Sequence, residues 1–135
     1  MYRLLYISTA RGTITPVMLA TILQVSRRNN AAVGVTGLLI AGGTRFLQAL
    51  EGEEAAVTAT VERIRRDDRH FGIAILSGGV VSERAFPQWA MGHQVGGDIA
   101  PGTTLADTIA ALTSPIQDPT LRAYFTGFAE LHAAA

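Results

Sequence analysis

Cysteine is absent from the sequence, which removes disulfides, thiolate metal sites, iron–sulfur clusters and cysteine nucleophiles, and leaves nothing to support an oxidising compartment. Charge is sparse and balanced. The 11 Lys and Arg residues and the 11 Asp and Glu residues cancel to a formal net charge of +0. A neutral chain lacks the long-range attraction on which binding to a phosphate backbone or an anionic bilayer depends, so neither nucleic acid nor a membrane is an expected partner. Long hydrophobic runs are missing too. The opening stretch MYRLLYISTARG is too short in its apolar part for a signal-peptide core and ends in a charged turn, and no segment approaches a membrane span. A cytoplasmic location is therefore expected. What the chain does have is apolar residue: 48% of its 135 positions are hydrophobic, enough for one domain with a real core and too few for two.

The order of elements reads clearly along the chain. Tyr2 to Ser8 is a short strand-like run closed by Ala10-Arg11-Gly12. Thr15-Pro16 supplies an N-cap with proline at the first helical position, and Leu19, Ile22, Leu23 and Ser26 recur at helical spacing. Val33 to Ile40 and Arg45 to Glu51 flank the turn Ala41-Gly42-Gly43-Thr44, which predicts a hairpin of strands two and three. Glu53-Glu54 in a first turn and Arg65-Arg66 in a last one complement a helix dipole, with Val57, Val61 and Ile64 as the inner stripe. Ile73 to Val81 and Phe86 to Val95 read as strands four and five. The order βαββαββ predicts an α+β, ferredoxin-like sandwich: a five-stranded mixed sheet, two helices on one face, and strands one and three side by side. Strand one is apolar in both phases, Leu4 and Tyr6 against Leu5 and Ile7, so its other face needs a cover. Two C-terminal helical stretches, about Leu105 to Thr113 and about Pro119 to Ala133, would supply it or form an oligomer contact.

Amides stand out in this pattern. Asn29 and Asn30 follow the buried stripe of the first helix, so at least one projects from its core-facing side, while the pair also suits an ordinary helix C-cap. In Arg45-Phe46-Leu47-Gln48-Ala49-Leu50-Glu51, alternation puts Gln48 on one face with Phe46 and Leu50. An inward amide left unsatisfied costs roughly 1 to 3 kcal/mol, so it has a buried partner. Tyr6 is next door if strands one and three pair, and its hydroxyl can both donate and accept. Each residue alone is accounted for by ordinary core structure. Together they describe a pocket edge that hydrogen-bonds a flat, polar heterocycle without using charge. Asp67-Asp68-Arg69-His70 reads as a solvated end of the second helix, and with no further Cys/His cluster to complete a shell, a metal is not expected.

Tyr6 near the end of strand one, "SRRNN…GVTGLL", "FLQALEG", "RIRRDDRH" and "FPQWAMG" together resemble, in order, the signatures of the BLUF family of blue-light sensors using flavin, over about Leu4 to Gly92. The resemblance implies a ferredoxin-like sandwich with an isoalloxazine ring between two helices, a non-covalently bound FAD (FMN or riboflavin being acceptable), and a switch rather than an enzyme. Tyr6 would be the photoactive tyrosine and Gln48 the switching glutamine. Asn29 and Asn30 would hold the polar edge of the ring. Arg63 and His70 would lie near its pyrimidine end and Asp67 along the ribityl side, with apolar contact from Ile22, Leu39, Val57 and Ile64. Excitation would draw an electron and a proton from Tyr6 by way of Gln48, leaving Gln48 rearranged at the flavin C4 carbonyl. Trp89 and Met91, at i and i+2 on the last strand, would transmit the signal.

The expected division is a flavin-binding domain over 1–95 and a helical extension over 96–135. With no room for a fused cyclase, phosphodiesterase or DNA-binding domain, output is expected through self-association as a homo-oligomer or through a separate protein partner. The alternative is a light-independent ligand- or protein-binding module on the same fold, in which Tyr6 and Gln48 serve structure alone. A small hydrolase on an acylphosphatase-like sandwich ranks last, because Thr9-Ala10-Arg11-Gly12 is a poor anion loop.

Overall fold

The computed structural model describes residues 1–85, 94–95, 105–114 and 116–132. In chain order the elements are β1 (Tyr2–Ala10), α1 (Pro16–Ala32), β2 (Thr36–Gly42), β3 (Arg45–Gly52), α2 (Glu54–Arg65), β4 (His70–Val80), β5 (Gln94–Val95), α3 (Leu105–Thr113) and α4 (Pro119–His132). The fold is α+β, and its four long strands pair antiparallel. The sheet order is β4-β1-β3-β2-β5, with the two-residue β5 parallel to β2 at Leu39 and Ile40. Most of the strand expected over Phe86 to Val95, including Trp89 and Met91, lies outside the described residues.

Two βαβ units interleave. β1 and β2 are both antiparallel to β3, so they run parallel with β3 between them, and β4 runs parallel to β3 with β1 between. Each unit fills the gap left by the other, which makes β1 and β3 the central pair and brings both helices to one side. On that side Leu19 and Leu23 of α1 and Val57 and Val61 of α2 pack on Tyr6, Leu39, Phe46 and Leu50. The opposite phase of the same strands, Leu5, Leu38, Ile40, Leu47 and Ala49, packs on Ile109 of α3, on Ile116, and on Leu121, Phe125, Phe128 and Ala129 of α4.

Local chemistry accounts for the ends of the elements. The Thr15 side chain accepts from the Met18 backbone N–H at 3.1 Å, capping α1 where Pro16 has no donor to satisfy. At the other end the C-cap reading of the asparagines is corrected. Asn29 and Asn30 both lie inside α1, which runs to Ala32; Gly34 takes the left-handed conformation at φ 70°, and the Val33 and Val35 N–H groups bond to the Asn30 carbonyl at 3.1 and 2.9 Å. β2 accordingly begins at Thr36, not Val33. Gly37 is dictated by close approach, since a Cβ there would sit 1.9 Å from the carbonyl oxygen of Ala49. β4 begins earlier than expected. Pairing of Ala10 with His70 and of Thr9 with Phe71 extends the ladder back past Gly72, so His70 belongs to a strand and not to the end of a helix.

Candidate functional site

Strand alternation and the β1–β3 register assemble the floor of a cavity on the helix-covered side of the sheet. Tyr6 stands opposite Gln48, and Gln48 opposite Leu39, so three adjacent strands present one row of side chains to the same face. One step along, Ser8 stands opposite Phe46. Gln48 is 2% exposed and Tyr6 3%. The Tyr6 hydroxyl donates to Oε1 of Gln48, which gives the inward glutamine its buried partner. Burial pushes the Tyr6 hydroxyl pKa well above the ordinary tyrosine value, and the negative charge of Asp67 pushes it further. Tyr6 is therefore a neutral phenol across the physiological range.

The walls come from the two helices and the segment after α2. From α1, Ile22, Val25, Ser26 and Asn29 line the cavity beside the buried Asn30; from α2, Thr60, Arg63 and Ile64 do so. Arg66, Asp67, Arg69 and His70 close one end. The enclosed volume is about 340 Å³, within the range typical of small-molecule and cofactor sites.

That closing end has its own electrostatics. Asp67 accepts from the Arg69 backbone N–H at 3.0 Å and from Nε of Arg69 at 2.9 Å. These bonds, led by the one from the guanidinium, hold the Asp67 carboxyl below the usual carboxylate range and raise Arg69 in turn. The His70 ring stands edge-on to Phe46, with centroids 6.4 Å apart. Its Nε2 lies 2.8 Å from the Ile64 carbonyl oxygen. A carbonyl can only accept, so Nε2 carries the proton, and in the neutral ring Nδ1 is an acceptor. That Nδ1 is buried without a hydrogen-bond partner, as is the Ser8 hydroxyl.

Of the residues singled out in the sequence, Tyr6, Ile22, Asn29, Asn30, Leu39, Gln48, Arg63, Ile64, Asp67 and His70 all line this one cavity. Val57 does not. It is fully buried in the core between α2 and the sheet, one helical turn before the lining residue Thr60. The residues that were missed are Ser8, Val25, Ser26, Phe46, Thr60, Arg66 and Arg69. Alternation from Tyr6 reaches Ser8, and alternation from Gln48 reaches Phe46, so both were within reach of the pattern; Arg69 was hidden because its segment reads as solvated. Among the described residues no group of three or more His, Asp or Glu side chains could hold a metal ion, and no helix is long and apolar enough to cross a membrane.

This arrangement can hold a flat heterocycle against apolar walls, present amides to its polar edge, and change a hydrogen bond through a tyrosine–glutamine pair. The family model for sensors of blue light using FAD, BLUF, matches residues 1–92. The beta subunit of photoactivated adenylate cyclase from Euglena longa is 29% identical over 116 residues, 85% of this chain and 12% of that protein. The chain thus spans about an eighth of that relative's length. Among solved structures, the dark-state structure of the BLUF protein BlrB is similar with a TM-score of 0.66 and 31% identity, covering 70% of each chain. The photo-activated state of BlsA is similar with a TM-score of 0.69 and 25% identity, covering 99% of this chain and 95% of that one.

Proposed function

The chain belongs to the BLUF family of flavin-using blue-light sensors, and from that premise we propose that Tyr6 and Gln48 are its photoactive switch, acting on a flavin held non-covalently in the cavity. The observation that carries this reading is the Tyr6 hydroxyl donating to Oε1 of Gln48 on the cavity floor. The residues present fit the cofactor. Ile22, Leu39 and Ile64 offer apolar contact to a ring system, Asn29 and Asn30 offer amides to its imide edge, and the acceptor Nδ1 of His70 suits a donor at the pyrimidine end. Arg63 would join His70 at that end, and Asp67 would lie along the ribityl side. Exposed Arg66 on the rim suits a phosphorylated flavin, FAD or FMN, ahead of riboflavin.

When bound and excited, the flavin supplies an electron-accepting ring. Tyr6, held neutral by burial, would be the residue that gives up and recovers an electron and a proton, and Gln48 would relay the proton and be left rotated or tautomerised. Its amide carries one acceptor and one donor at the same end, so reorientation reverses what it offers to Tyr6 on one side and to the C4 carbonyl on the other. A hydrogen bond added by Gln48 at that carbonyl would lower the excitation energy and move the absorption band to longer wavelength. No substrate is turned over at these residues.

Residues 1–95 then form the sensor and 96–135 the output segment, with Trp89 and Met91 passing the change on. The packing of α4 against the reverse face of β3, the strand that carries Gln48, supports this division. Output goes to a second copy of the chain or to a separate protein, in a cytoplasmic setting consistent with the lack of cysteine. The test is the visible spectrum of the purified chain in darkness and under blue light. A reversible red shift is expected, abolished in Tyr6→Phe and in Gln48→Leu with flavin still bound. A normal red shift in Gln48→Leu overturns the assignment of the switch.

A further inference from the structure

Ser8 has a buried hydroxyl for which the folded chain provides no use. It is 1% exposed, it lies on the cavity floor two residues from Tyr6 on the same face of β1, and its Oγ has no hydrogen-bond partner. On the β3 side the backbone is committed to the Ser8–Phe46 pair; toward β4 the register is irregular between Ile7 and Thr9, and no group there bonds the Ser8 hydroxyl. The neighbours on that face do not help either. Phe46, directly opposite, has no side-chain polar atom, and Nδ1 of His70, an acceptor on a neighbouring strand, is itself without a partner, so the two groups do not bond to each other. Buried hydroxyls without partners are uncommon enough that each calls for an explanation, and one that faces a cavity is placed to bond whatever fills it.

We propose that Ser8 is a further flavin-contacting residue, whose hydroxyl bonds to a polar atom of the isoalloxazine ring. The inference rests on the flavin occupying this cavity. The ring, not the tail, is assigned as partner because Ser8 lies on the sheet floor beside Tyr6 and Gln48, where the part of the cofactor that the switch must touch is also the part within reach. Ser8 and Nδ1 of His70 thus make a second hydrogen-bonding edge, separate from the Tyr6–Gln48 pair.

The experiment loads the full chain with riboflavin or with lumiflavin, which lacks the ribityl tail, and compares wild type with Ser8→Ala and Ser8→Thr. Ser8→Ala is expected to bind both flavins about three- to tenfold more weakly, the loss of one net hydrogen bond, and to shift the dark-state absorption band; Ser8→Thr keeps the hydroxyl and restores both properties. Without flavin, Ser8→Ala is expected to melt at or above the wild-type temperature, because it removes an unsatisfied buried group. Unchanged affinity and an unmoved band in Ser8→Ala overturn the proposal. So does a lower melting temperature of the flavin-free variant, which would mark a structural hydroxyl, and so does weakened binding of riboflavin alone, which would hand the contact to the ribityl chain. Failure of the wild-type chain to bind either flavin is a different result, and overturns the reading of the cavity itself.

Discussion

The two faces of the sheet are built from alternate residues of the same strands, yet they hold opposite kinds of interior. Toward α1 and α2, β1 and β3 present Tyr6, Ser8 and Gln48, and the helices stand off far enough to leave a cavity of about 340 Å³. Toward α3 and α4 they present Leu5, Leu47 and Ala49, closed over by Ile109, Leu121, Phe125 and Phe128. Among the described residues there, a pocket of about 50 Å³ lies at the Arg3–Asp118 end. One step along a strand separates a residue that lines the cavity from one packed into the core against α3 and α4. Individual polar groups illustrate the difference, although Nε of Arg45, in the phase of Leu47 and Ala49, also lacks a partner. Glu51, fully buried toward α4, is held by Nε of Arg3 at 2.8 Å and by the Ala85 N–H at 2.9 Å, and Arg3 reaches on to Asp118 at 3.5 Å. On the cavity face the Ser8 hydroxyl and Nδ1 of His70 have no such partners.

The contrast can be broken most severely from the closed side. Phe125→Ala should cost about 3–5 kcal/mol of stability, since Phe125 is fully buried at the centre of the α4 contact; denaturant unfolding of the flavin-free chain reads this directly. If that loss is small, α4 is not what completes this face.

Two arginine–carboxylate pairs sharpen the comparison at lower cost. The Arg3 and Glu51 side chains are 15% and 0% exposed, those of Arg69 and Asp67 39% and 29%. Glu51→Ala should therefore destabilise by about 1.5–3 kcal/mol, because it strips hydrogen bonds from a charged partner and from the Ala85 N–H in a dry setting. High salt should change that loss little.

The pair at the cavity rim should register mainly as pH dependence. Asp67 is held below the ordinary carboxylate range by Arg69, so its contribution is fully present above the unfolded-chain value of about 4 and is lost as the pH falls toward the folded one. Asp67→Asn should lower stability slightly at neutral pH, where the contribution is fully present, and flatten the acid limb, so that variant and wild type converge as the pH falls below about 4. An acid limb identical to wild type would show that the pair does not persist in solution.

Much of this was legible in advance, for identifiable reasons. Period-two alternation put Gln48 and Tyr6 on inward faces, and the βαββ order made their strands neighbours; the observed register sets them directly opposite each other. The covered second face was legible from the two apolar phases of β1. What misled was local chemistry with two uses. Asn29-Asn30 suits a helix end, but the left-handed residue that ends α1 is Gly34, and the asparagines stay helical. Asp67 to His70 carries enough charge to look solvated, although the chain there turns back into β4 and brings His70 against Phe46. Val57 has the right helical phase and the wrong depth.

The sequence by itself determined the element order, the phase of each amphipathic face, and the identity of the tyrosine and glutamine that point inward, because periodicity and turn chemistry act over a few residues. Which inward groups would be satisfied by the fold, and which would be left facing a cavity, only the tertiary structure decided. That outcome depends on how far α1 and α2 stand from the sheet and on which strand lies beside which. These distances between elements far apart in the chain are set by the packing of the whole core.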